Sequence, residues 1–175
     1  MDYIKLVRTI PDHPKTGIMF RDVTTLFGNA RGWSEAIRDL AGVVSEWSVH
    51  LVAGIEARGF VVGSPLAIEL GVGFVPVRKS GKLPAPTFRR DYELEYGRDC
   101  IEVHQDAIQA GQRVLVVDDL VATGGTALAA VQLVRDAGAT VAGAAFLVEL
   151  PELGGSEKLR SSGVQVCSLM SFSGH

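Results

Sequence analysis

The run Val116-Val117-Asp118-Asp119-Leu120-Val121-Ala122-Thr123-Gly124-Gly125-Thr126 combines residue types that can hold a small anionic ligand. An apolar segment runs into two adjacent carboxylates. A short turn with two glycines and two threonines follows. Gly124 and Gly125 let the backbone bend closely around a ligand. Free amides in such a turn, and at the start of a helix after it, can point at a phosphate, whose charge the helix amino end favours. Thr123 and Thr126 add hydroxyl donors. Asp118 and Asp119 would repel phosphate oxygens, so they suit ribose hydroxyls or a magnesium hydration shell. Together these groups imply a sugar phosphate, with carboxylates on the sugar and amides on the phosphate. The alternative is a plain helix cap at Thr126 and an exposed acidic strand end. The glycines match neither a nucleotide P-loop nor the dinucleotide GxGxxG pattern.

A second cluster is basic. Arg78, Lys79, Lys82, Arg89 and Arg90 fall within 13 residues. The whole chain carries 20 acids against 17 bases, for a net charge of -3. A chain that grips a nucleic acid backbone usually shows a basic excess. The cluster therefore points to a local anionic ligand or a solvated loop, and no nucleic acid partner is expected. Cys100 and Cys167 are too few for a metal motif or a disulfide framework and read as small buried hydrophobes. The four histidines show no ligand spacing, so no protein-only metal site is expected. The amino terminus lacks a signal-peptide core, and no apolar run reaches the roughly 18 residues of a membrane span. These features imply a cytoplasmic chain with no membrane partner.

The elements that must position these groups follow from periodicity. Of the 175 residues, 47% are hydrophobic and 21% charged, which suits one globular domain spanning 1–175. Residues 1–30 read as an irregular cap with a short helix near 2–8. Trp33, Ile37, Leu40, Val44 and Trp47 recur at steps of three and four, which predicts a helix over 33–47. Strands are expected at 51–55, 72–77, 114–117, 140–150 and 164–169. Helices are expected at 60–70, with Pro65 disturbing it, at 126–137 and at 154–162. Residues 80–99 change character and read as a long excursion, a two-stranded flap returning through Cys100–His104. Alternating strands and helices predict an α/β fold, a mostly parallel central sheet flanked by helices. Its ligand crevice should lie beyond the carboxyl ends of the strands.

The Val116–Thr126 run resembles the PRPP-binding signature of the type I phosphoribosyltransferases, where PRPP is 5-phosphoribosyl-1-pyrophosphate. The match includes the strand before it and the helix after it. The resemblance implies that Asp118 and Asp119 contact the ribose hydroxyls, with Mg2+ nearby and bound mainly through PRPP and water. It implies that Ala122, Thr123, Gly124, Gly125 and Thr126 hold the 5-phosphate. Three further stretches are similar to members of the family that use adenine: Gly17–Asp22, Arg78–Pro84 and Tyr92–Gly97. With the Gly54–Gly59 segment, the likeness spans nearly the whole chain. It makes residues 1–30 a base-binding cap and residues 80–100 a flexible flap.

By the same resemblance, the backbones of Met19 and Arg21 read the adenine edge, and Phe20 and Leu120 cover the ring faces. Pattern alone leaves Phe20 equally a core aromatic, and Arg21–Asp22 a local surface ion pair. Arg58, in Glu56-Ala57-Arg58-Gly59, offers a donor fork to pyrophosphate, and Gly59 allows close backbone approach. Without the resemblance, a turn with a surface arginine stays open as the alternative. The family loop can hold a non-proline cis bond. Lys79 and Lys82 add charge near the pyrophosphate. Glu95 takes a proton-transfer or hydrogen-bonding role on the purine, and Tyr96 helps close the site. The implied reaction joins adenine to PRPP, giving AMP and pyrophosphate for purine salvage, in a homodimer. The alternatives are another purine base, or a regulator that senses PRPP without catalysis. Two departures from the family pattern, Lys15-Thr16 before Gly17 and the charged 88–91 segment, bear on loop conformation only.

Overall fold

The centre of the molecule is a run of parallel strands that water does not reach. A computed structural model describes residues 1–94 and 97–174, with only the backbone of Leu94. Its strands β3 (Leu51–Ile55) and β7 (Arg113–Val121) pair in parallel. Every residue of β3, and Val114 through Val117 of β7, is buried. Continuous apolar sequence has this meaning when helices cover both faces of a sheet.

The chain supplies those helices in order. After a 3-10 turn at Tyr3–Leu6 comes a separate antiparallel hairpin of β1 (Arg8–Pro11) and β2 (Met19–Asp22). A single turn α1 (Thr24–Phe27) leads to α2 (Ala30–Val44). The helix starts three residues before Trp33 because the Asn29 side chain accepts from Gly32 N at 2.9 Å and caps it. After β3 comes α3 (Arg58–Leu70), which carries Pro65 inside it and ends at Gly71. The remaining elements are β4 (Gly73–Lys79), β5 (Thr87–Leu94), β6 (Gly97–His104), α4 (Gly125–Asp136) after β7, β8 (Thr140–Glu149), α5 (Gly155–Ser161) and β9 (Val166–Ser171).

The seven-stranded sheet has the order β5-β6-β4-β3-β7-β8-β9. Strands β4, β3, β7, β8 and β9 are parallel, while β6 joins β4, and β5 joins β6, antiparallel. The mostly parallel architecture read from the sequence is present, with the 80–100 excursion built as the β5–β6 hairpin. Alternation along β7 divides the core. Val114 and Val116 pack with α4 residues such as Val131 and Leu133, and Leu115 and Val117 pack with Leu40 of α2 and Leu66 of α3. Each fully buried Val or Leu contributes about 1.5–3 kcal/mol of transfer free energy, so this double-faced core fixes the strand register firmly.

Among the described residues, no helix is long and apolar enough to cross a membrane. The cap differs from its irregular expectation: it holds the 3-10 turn and the β1–β2 hairpin. From β3 the chain moves through α3 to β4 on one side, and from β7 through α4 to β8 on the other. The strand order therefore reverses between β3 and β7. That reversal opens a crevice at the carboxyl ends of these two strands.

Candidate active site

Two loops flank the crevice: Glu56–Arg58 after β3, and the turn after β7. Strand β7 continues past its apolar run. Asp118, Leu120 and Val121 still pair with Phe146, Val148 and Glu149 of β8. The two carboxylates are therefore held by the sheet itself. The turn that follows is built by close packing. Gly124 has φ 76°, and a Cβ there would lie 2.8 Å from the Gly155 carbonyl oxygen. Gly155 N donates to Ala122 O at 3.0 Å, so the start of α5 supports the turn from behind. A Cβ on Gly155 would fall 2.3 Å from Ala122 O, which nothing but glycine tolerates.

Helix α4 starts at Gly125 without a side-chain cap. Thr126 is thus no helix cap, and the first amides of α4 keep their orphan donors. Asp118 and residues 120–127 line a cavity of about 120 Å³ here. Orphan amides, a helix amino end and two hydroxyls around such a space form an anion site.

The carboxylates differ in environment. Asp119 is 4% exposed, and its Oδ2 lies 2.8 Å from Arg58 Nε, an ion pair without the alignment of a hydrogen bond. Asp118 Oδ1 accepts from Asp119 N at 2.9 Å. Burial, and then the Asp119 charge, push the Asp118 carboxyl well above the ordinary carboxylate range. Among the described residues, no three His, Cys, Asp or Glu side chains cluster to hold a metal.

A second cavity, about 300 Å³, is lined by residues 18–21, Arg58, Leu120, Ala122, Leu150 and Leu153. It adjoins the first, because Leu120 and Ala122 belong to both. Its walls are mostly apolar, with Phe20 on one side and the Arg58 guanidinium 5.6 Å over the Phe20 ring. Enclosure of this kind, with a few polar groups, suits a flat aromatic ligand. A phosphate-sized anion site and a slot for a planar ring thus meet along one shared wall.

Comparison with known proteins identifies the family. Residues 26–168 match the phosphoribosyl transferase domain family. An adenine phosphoribosyltransferase of Maricaulis maris (strain MCS10) is 56% identical over 174 residues, covering 99% of each chain. The chain belongs to the adenine phosphoribosyltransferase family. The crystal structure of the adenine phosphoribosyltransferase from Thermoanaerobacter pseudethanolicus superposes with a TM-score of 0.94, at 48% identity over 98% of both chains. The Saccharomyces cerevisiae enzyme, solved with adenine and an imino-altritol bisphosphate, gives a TM-score of 0.88 at 39% identity, over 97% of both chains.

For a member of this family, the remaining site residues are distributed unevenly. Met19, Phe20, Arg21 and Leu120 lie together on the second cavity, and Ala122 through Thr126 on the first. Arg58 lines the second cavity and pairs with Asp119. The Glu56–Ala57 peptide bond is cis. The Glu56 carboxylate accepts from Arg78 Nε and Nη2 at 3.2 Å each and from Lys79 N at 2.9 Å. The Arg78 hydrogen bonds hold the Glu56 carboxyl below its usual range against the opposing effect of burial. Lys82 is exposed and adds positive charge near Glu56.

Lys79 is tied down instead. Its ammonium pairs with Asp99 and donates to the Tyr92 hydroxyl at 2.8 Å, and Tyr92 donates to Asp99 at 3.1 Å. Burial works against the Lys79 charge, and these partners more than restore it. Gly59 is required by the protein itself, since a Cβ there would meet Val117 O at 2.8 Å. Arg21 and Asp22 do not pair with each other. Asp22 binds Arg8 and Thr24, while Arg21 binds Thr9. Glu95 and Tyr96 lie outside the described residues.

Several contributors escaped the reading of the sequence. Leu150 and Leu153 wall the second cavity, Glu56 organises the Arg78–Lys79 strand end, and Gly155 supports the turn after β7. Only the Gly154-Gly155 pair, three residues after Pro151, offered a visible signal.

Proposed function

We propose that this chain transfers the 5-phosphoribosyl group of PRPP to a ring nitrogen of adenine, releasing AMP and pyrophosphate. The observation that carries this reading is the shared wall of Leu120 and Ala122 between an anion site and an apolar slot. A nucleotide joins a phosphate, a sugar and a flat base in that order, and the two cavities adjoin in that order.

The amides of Gly125–Ala127 and the hydroxyls of Thr123 and Thr126 take the 5-phosphate. Asp118 and Asp119 take the ribose hydroxyls. The backbones of Met19 and Arg21 read the adenine edge, with Phe20 and Leu120 on its faces, and residues 1–30 form the base-binding cap. As the anomeric bond breaks, positive character grows on the ribose and negative charge on the leaving pyrophosphate. Arg58 exchanges Asp119 for pyrophosphate, supported by the charges of Lys79 and Lys82. Asp118 and Asp119 would hold Mg2+ through PRPP and water, and the metal would supply charge neutralisation to the leaving group. Glu95 holds or moves the purine proton. With Tyr96, it closes the 80–100 flap over the ribose and excludes water.

The chain acts in purine salvage in the cytoplasm, as a homodimer. The exposed apolar side chains Val61 and Ile68, on the outer face of α3, support the dimer. The test is a panel of adenine, hypoxanthine, guanine and xanthine with PRPP and magnesium, following pyrophosphate release and nucleotide formation. AMP formation with adenine alone is expected. Preference for another base would overturn the base assignment. PRPP binding without turnover on any base would overturn the catalytic one.

A further inference from the structure

The base cavity has two walls from distant parts of the chain: Met19–Arg21 on β2, and Leu150 with Leu153 beyond β8. Nothing in the main sheet joins β2 to the second wall, because β1 and β2 form a sheet of their own. An isolated two-stranded hairpin is marginal in water and needs outside contacts to keep its place.

The segment after β9 supplies them. Phe172 N donates to Glu149 O at 3.0 Å, which fixes the segment to the end of β8. The Phe172 ring then lies under Arg21, 4.8 Å from ring centre to guanidinium carbon. Arg21 Nη2 donates to Ser173 O at 2.9 Å, while Nη1 donates to Thr9 Oγ1 at 2.7 Å. One residue further, Gly174 N donates to Glu152 Oε1 at 3.0 Å, next to Leu153.

We infer that Phe172–Gly174 is a strap that sets the width of the base cavity, and that Phe172 is a positioning residue for base recognition. The inference rests on the adenine-binding role proposed for this cavity and assigns that role a control. A guanidinium stacked on an aromatic face and hydrogen-bonded on both amino ends has a fixed plane. The β2 backbone that carries it is fixed in turn. Two backbone hydrogen bonds to a base edge tolerate little displacement, since an error of about 1 Å in a bound reactant costs up to roughly a hundredfold in rate.

The test is steady-state kinetics of the wild type, Phe172→Ala, Phe172→Tyr and Glu152→Ala, with adenine and PRPP varied separately. Phe172→Ala is expected to raise the KM for adenine about tenfold, with the KM for PRPP within about twofold, because only the base-side placement changes. Phe172→Tyr keeps the ring face and should restore the wild-type value. Glu152→Ala, at an exposed position, should raise the adenine KM about threefold and keeps the inference testable if Phe172→Ala does not fold. Unchanged adenine KM in both Ala variants, or equal rises in the two KM values, would overturn the strap while leaving the reaction intact. A wild type that does not use adenine would overturn the parent reading and the strap with it.

Discussion

The two halves of the candidate site are built in opposite ways. The phosphate half comes almost entirely from one stretch, residues 118–127, where a core strand, a turn and a helix start follow without interruption. The base half gathers residues 18–21, Arg58, Leu120, Ala122, Leu150 and Leu153, and is strapped by Phe172–Gly174. In the first, sequence neighbours are also spatial neighbours, so the core that fixes β7 fixes the site. In the second, the position of each wall depends on a separate tertiary contact. Recognition at the proposed phosphate half should therefore be stiff, and recognition at the proposed base half adjustable.

The largest effect should come from the stiff half. Replacing both Asp118 and Asp119 by Asn removes the two carboxylates proposed to accept from the ribose. It also releases Arg58 from its ion pair. At about 2 kcal/mol for each charged hydrogen bond, kcat/KM for PRPP should fall roughly a thousandfold. Saturation kinetics check this, and near-normal values would place the sugar elsewhere.

Glu95→Gln should come next. Loss of proton transfer or hydrogen bonding to the purine should lower kcat about a hundredfold, with the PRPP KM little changed. Single-turnover and steady-state rates separate the two, and an unchanged kcat would remove Glu95 from the chemistry.

A smaller change sharpens the contrast between the halves. Gly155→Ala forces a Cβ to within 2.3 Å of Ala122 O unless the backbone moves. Overpacking of this kind costs about 1–3 kcal/mol. Because it acts behind the phosphate turn, PRPP kcat/KM should drop about tenfold, with a much smaller change in the adenine KM. Equal losses on both substrates would show that the halves are not separately built.

The smallest effect is on the cap. Hydrogen bonding from Thr24, and then from Arg8, draws the Asp22 carboxyl down from 3.8 to about 2. A carboxyl depressed in the folded state adds stability above its unfolded value, and that stability is lost as pH falls through the folded one. Wild type and Asp22→Asn should therefore differ in melting temperature at pH 7, and the difference should shrink between 3.8 and about 2. A gap that stays constant across that interval would exclude the ionised carboxylate as its source.

The same contrast explains what could be read before the structure. The cavity along Asp118–Thr126 was legible because apolar continuity, paired acids and the glycine turn all lie within one window. The parallel core was legible for the same reason: β3 and β7 are apolar without interruption. The β1–β2 hairpin was not, because Arg8–Pro11 and Met19–Asp22 lack strict alternation and are separated by a proline and a glycine. The start of α2 was misplaced because Asn29 caps it from outside the apolar repeat. The base pocket's second wall had no sequence signal, since Leu150 and Leu153 look like any residues at a strand end. For Lys79 the sequence offers only charge near the pyrophosphate, and the fold alone brings Asp99 and Tyr92 to it.

The central claim is that an anion site and a base site adjoin and together hold one nucleotide. Equilibrium titration of the wild type with AMP, repeated with ribose 5-phosphate or with adenine present, tests it most directly. Each half-ligand should displace AMP, and the two should bind the protein together. AMP binding that survives saturation with both, or mutual exclusion of the two halves, would contradict it.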